Sequence, residues 1–165
     1  MHPRPLRLAP ACLAALAAFL LAACAGTPEP AAMRGAPGSW GGGAVAVTRF
    51  GVLRGRPDDA DTWSSKGIPF AAPPVGELRW RAPRDPAPWA GVRDASRFGG
   101  RAVQFSPIGG GISGTEDCLY LNVWRPRDAE NGLPVYVWIH GGGNSLGAAD
   151  MVPDYYGHRV AAASR

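Results

Sequence analysis

An α/β fold is the class predicted for this sequence of 165 residues, and three observations carry the prediction. Residues 134–139 read PVYVWI without one polar side chain. A short run that is apolar on both sides is typical of a strand in a sheet covered on both faces. Residues 118–124, CLYLNVW, form a second strand-like run rich in Leu, Val, Tyr and Trp. Past the glycines that follow the first run, residues 155–163 are compatible with a helix.

The elements are justified in chain order. Residues 1–24 open with a basic MHPRPLR, continue as an apolar stretch too short to favour a stable membrane span, and end Leu21-Ala22-Ala23-Cys24. Small residues before a cut suit signal peptidases. The Leu-Ala-Ala-Cys ending resembles the bacterial lipoprotein signal, which implies acylation of Cys24, export and lipid anchoring to a membrane. An ordinary secretory cut nearby is the alternative. Ala25 stands where Asp would signal inner-membrane retention, which leans toward the outer membrane or a periplasm-facing site. Residues 25–43 are rich in Pro and Gly without apolar periodicity and read as a tether. Fully extended, they reach about 60 Å.

Residues 44–55, AVAVTRFGVLRG, predict two short strands joined by a turn at Phe50-Gly51. Residues 57–62, PDDADT, predict a polar loop. From 66 to 100, prolines at 69, 73, 74, 83, 86 and 88 exclude long helices and central strands. Phe70, Trp80 and Trp89 in that stretch call for burial, so an irregular segment packed by its aromatics is expected. Residues 105–117 read as a flexible glycine-rich loop. Gly109–Gly114 matches G-x-G-x-x-G by letter, but follows no strand and opens no helix, so the dinucleotide reading lacks its context. Residues 125–133 are a turn-rich connection.

Composition excludes other classes. The 17 basic and 13 acidic residues give a net charge of +4, which falls to +2 if Arg4 and Arg7 leave with a leader. There is no basic block, and nucleic-acid binding has no support. One cysteine beyond residue 24, Cys118, and scattered histidines do not make a metal site. No metal or other cofactor is expected.

The chemistry concentrates in residues 139–147, IHGGGNSLG. Gly143-Asn144-Ser145-Leu146-Gly147 spells G-x-S-x-G, and Asp150 and His158 follow in the order of a triad. In a nucleophile elbow, however, the strand runs straight into G-x-S and a helix starts at the serine. Two further glycines intervene here, and Pro153 opposes a helix begun at Ser145. Acid and base should also converge from separate loops. The other reading is a loop of backbone N–H donors. Successive glycine amides can face one point, because glycine tolerates positive φ and close approach.

Four motifs then occur in order: GIPFA at 67–71, PPVGELRW at 73–80, EDCLYLNVW at 116–124 and WIHGGG at 138–143. From about Val45 onward the chain resembles the N-terminal part of type-B carboxylesterases, the group that includes the cholinesterases. The resemblance implies the N-terminal part of an α/β-hydrolase fold, a mixed sheet flanked by helices, spanning residues 44–165 and stopping before the nucleophile elbow. It implies a serine-dependent carboxylic ester hydrolase acting on a small-molecule ester, with oxyanion donors at the Gly142 and Gly143 N–H groups. The nucleophile, acid and base then lie outside this chain, which should be inactive alone. His140 becomes loop scaffold, and Arg79 and Glu116 match a buried ion pair. The family's disulfide partner for Cys118 falls near Ala102, which leaves Cys118 a free thiol. Asn144 stands where an aromatic is common. A strand after residue 165 is expected between the two apolar runs, whose faces and backbone groups are otherwise exposed. The alternative function is a non-catalytic surface lipoprotein that uses a remnant of the fold for binding.

Overall fold

The structure is a computed structural model and describes residues 40–106, 109–128 and 132–164. The leader with Cys24, and the tether up to residue 39, lie outside the described residues.

The strands begin where the sequence alternates. β1 (Val45–Thr48) and β2 (Gly51–Arg54) pair antiparallel, Val45 opposite Arg54 and Thr48 opposite Gly51. Thr48 closes the turn: its Oγ1 accepts the N–H of Phe50 at 3.1 Å and of Gly51 at 3.2 Å. The hydroxyl also donates to the Gly51 carbonyl at 2.8 Å. β5 (Val92–Asp94) joins β2 in parallel, so this first sheet is mixed.

A second sheet, in the order β3-β4-β8, is antiparallel throughout. β3 (Arg56–Asp58) and β4 (Thr62–Pro69) replace most of the polar loop expected at 57–62. Only Asp59, Ala60 and Asp61 turn, and Ala60 and Asp61 both take φ of 54°. β8 (Tyr120–Pro126) realises the strand-like run at 118–124, shifted by two residues. Between Ser65 and Ile68 the β4–β8 register slips, and Asn122 Oδ1 accepts the Gly67 N–H there at 3.0 Å. The two sheets are joined through Ala95, which is wholly buried. Its N–H donates to Arg54 O at 2.8 Å and its carbonyl accepts from Lys66 N at 2.7 Å.

The helix α1 (His158–Ala163) packs on β4 and β8. Gly157 at its start lies against the Trp124 indole, where a Cβ would come within 2.8 Å of the ring. Trp124, Phe98 and Tyr156 form an aromatic cluster with centroids 5.4–6.3 Å apart. No helix among the described residues is long and apolar enough to cross a membrane.

Three expectations are corrected. Residues 134–139 form no strand ladder, and Val135, Val137 and Ile139 are 87%, 74% and 82% exposed. β8 ends its sheet, so no described strand lies beside them. The glycine-rich loop at 105–117 contains a short hairpin, β6 (Gln104–Phe105) with β7 (Ile112–Ser113). Of the aromatics in the proline-rich stretch, Trp89 docks, its Nε1 donating to Val52 O at 2.9 Å. Trp80 is 94% exposed and Phe70 half exposed.

Candidate active site

Residues 141–147 turn back on themselves. The N–H groups of Ser145 and Leu146 both donate to the Gly142 carbonyl, at 3.1 and 3.2 Å. Gly142 has φ of 132°, and a Cβ on it would fall on the Leu146 carbonyl oxygen, so only glycine fits this closure. Gly147, with φ of 124°, is packed as tightly: a Cβ there would lie 2.5 Å from Gly141 O and 2.7 Å from His140 Nδ1. His140 is exposed on its outer side, with Nδ1 2.9 Å from the Gly141 carbonyl. Among the described residues, no hydrogen-bond acceptor faces the N–H of Gly142 or Gly143.

The G-x-S-x-G text does not build an elbow. Ser145 sits in a turn with no helix behind it, and the positive φ of 57° belongs to Asn144. Ser145 Oγ donates to the carbonyls of Gly142 and Gly143, at 3.2 and 3.4 Å. Asp150 binds Arg101 with both oxygens, Oδ1 to Nε at 2.8 Å and Oδ2 to Nη2 at 2.9 Å. His158 lies elsewhere, its ring grouped with the carboxylates of Asp58 and Asp59, the ligand atoms within 4.8 Å of one another. Ser145, Asp150 and His158 therefore share no hydrogen-bonded chain. The Asp58 group is also a poor cation site, because Asp58 Oδ2 already accepts from Lys66 Nζ at 2.8 Å and Trp124 Nε1 at 3.0 Å.

Arg79 Nε lies 2.7 Å from Glu116 Oε1, so the two charges meet. Their side chains are 52% and 42% exposed, so among the described residues this ion pair is not the buried one the resemblance implies. Cys118 is a free, half-buried thiol. Burial pushes its pKa up, and the neighbouring Asp117 and Glu116 carboxylates add to the effect.

Sequence reasoning missed Gln104. Its side-chain amide takes both backbone groups of Gly147, accepting its N–H at 2.9 Å and donating to its carbonyl at 3.0 Å. The surrounding FGGRAVQ carries no spacing that would mark it.

The motifs and this loop have a counterpart among known proteins. The model of the carboxylesterase family matches residues 43–164. The chain belongs to the carboxylesterase family. Fumonisin B1 esterase of Sphingopyxis macrogoltabida is 47% identical over 121 residues, covering 71% of this chain and 22% of the relative. Para-nitrobenzyl esterase of Bacillus subtilis is 41% identical over 125 residues, covering 72% and 25%. The solved carboxylesterase of Geobacillus stearothermophilus superposes with a TM-score of 0.63 at 41% identity, over 72% of this chain and 24% of that one. This chain of the carboxylesterase family thus spans about a quarter of the length of these relatives, and its strands and helix are part of an α/β-hydrolase fold.

Proposed function

We propose that this chain is the N-terminal portion of a serine-dependent carboxylic ester hydrolase, and that it contributes oxyanion donors while the nucleophile, acid and base come from outside the residues described. The observation that carries the reading is the pair of N–H groups at Gly142 and Gly143, left without acceptors in a loop closed by its own backbone. When a nucleophile adds to an ester carbonyl, negative charge collects on the oxygen. A donor held in advance at that point costs nothing to reorganise, and its removal typically costs about 3–4 kcal/mol of transition-state stabilisation. Closure through Gly142 fixes the loop before substrate arrives. The substrate class is a small-molecule carboxylic ester, as the names of the relatives suggest.

Ser145 has no base within the hydrogen bonds it makes. The 165-residue chain should therefore hydrolyse nitrophenyl butyrate no faster than buffer, and Ser145→Ala should change nothing. Turnover that disappears in Ser145→Ala would overturn the reading.

The export reading rests on the basic MHPRPLR, the apolar stretch that follows and the ending Leu21-Ala22-Ala23-Cys24. In a bacterial host the chain should incorporate labelled palmitate and lose the label in Cys24→Ser. Unlabelled wild-type chain would leave Cys24 without that role.

A further inference from the structure

The glycine loop is held from outside by one side chain. Gln104 bonds Gly147 with both ends of its amide, replacing a backbone partner for the N–H and the C=O together. Its Nε2 also donates to Ala102 O at 3.0 Å, which fixes the side chain over its own strand. That strand is anchored in turn. Gln104 pairs with Ser113 across β6–β7, and Thr115 N donates to Arg101 O at 2.8 Å. Three residues beyond Gly147, Arg101 adds its two-bond grip on Asp150. The short segment 101–104 therefore grips both 147 and 150.

The grip reaches the proposed donors through contact. Gly147 lies against the Gly141 carbonyl and the His140 ring, and Leu146 is bonded to Gly142 and packed on its Cα. A shift of Gly147 moves Leu146, and a shift of Leu146 moves the peptide units that carry the Gly142 and Gly143 N–H groups. We propose that Gln104 is a positioning residue for these two amides: its carboxamide fixes the end of the glycine loop, with Arg101–Asp150 as a second pin. The functional weight of this inference rests on the oxyanion reading. The geometry it invokes does not.

Amide hydrogen exchange on the 165-residue chain tests it without needing turnover. Gln104→Met keeps the side chain's length and removes its polar ends. It should lower the protection factor of Gly147 between a few-fold and about tenfold, the range of a net hydrogen bond. Leu146 and Ser145 should follow, while Leu53 in β2 stays unchanged. Gln104→Glu supplies the rescue. Its carboxylate keeps an acceptor for the Gly147 N–H but places charge beside two carbonyls, and its protonated form regains a donor. Loop protection in that variant should rise as pH falls through the carboxyl range. Unchanged Gly147 protection in Gln104→Met would overturn the proposal. So would an equal fall at Leu53, which would mean that the side chain merely stabilises the fold. Ester turnover through Ser145 would sink the oxyanion reading and leave the exchange ratios standing.

Discussion

Lys66 is the only lysine in the chain, and it is 4% exposed. Its ammonium meets Asp58 Oδ2 at 2.8 Å, and the rings of Phe98, Trp124 and Tyr156 surround it at 5.1–5.6 Å from their centroids. Burial alone would raise the Asp58 carboxyl. The Lys66 ammonium, the Asp59 N–H and the Trp124 indole outweigh it and hold the group well below the usual carboxylate range. Asp58→Asn would leave a cation in this box without its counter-charge. The expected cost is about 3–5 kcal/mol, read as a lower urea midpoint at pH 7. The pH dependence has a definite sign. A depressed folded pKa gives stability that is complete above the unfolded value of about 3.9 and is lost as pH falls below it toward the folded value. The gap between wild type and Asp58→Asn should therefore narrow from pH 5 toward pH 2. A gap constant over that interval would mean that the pair is not the source of the stability.

At the level of elements, legibility followed the side chains that face the core. β1 and β2 could be read from Val and Leu, because those residues pack against neighbours. β8 could be read from the composition of its run, although its Leu121 and Val123 stay exposed and Tyr120, Asn122 and Trp124 take the more covered face. β4 could not. Its inward side chains are Thr62, Ser64 and Lys66, all buried, so the alternation exists in burial and not in hydrophobicity. What makes it a strand is pairing on both edges, with β3 and β8, and the aromatic box over its lysine. The helix was placed by its position after the loop, and its start slipped from 155 to His158 because a 3-10 turn at Pro153–Tyr155 comes first. The glycine loop was legible in outline, since three consecutive glycines after an apolar run have few structural uses. Its closure onto Gly142 O and its grip by Gln104 were not, because a glutamine forty-three residues away in the chain leaves no local pattern.

For the whole molecule, the consequence of an unpaired apolar run is physical and testable. Residues 134–139 have the composition of a central strand, yet five of their side chains, Val135 to Ile139, are 57–87% exposed. β8 presents Leu121 and Val123 beside an outer edge that no described strand covers, 39% and 46% exposed. Backbone donors and acceptors along both runs are templates for pairing, and the apolar faces add a non-directional drive. Only Trp138 finds a ring partner among the described residues, Tyr155 at 6.0 Å. In dilute buffer the 165-residue chain should therefore self-associate, with light scattering that grows faster than concentration. Val137→Lys places a charge in the middle of the run, where pairing would have to bury it, and should reduce the scattering several-fold. Arg84→Lys, on the exposed proline-rich stretch, should leave it as it was. A chain that stays monomeric at every concentration, with Val137→Lys indistinguishable from wild type, would show that the run is shielded within its own molecule.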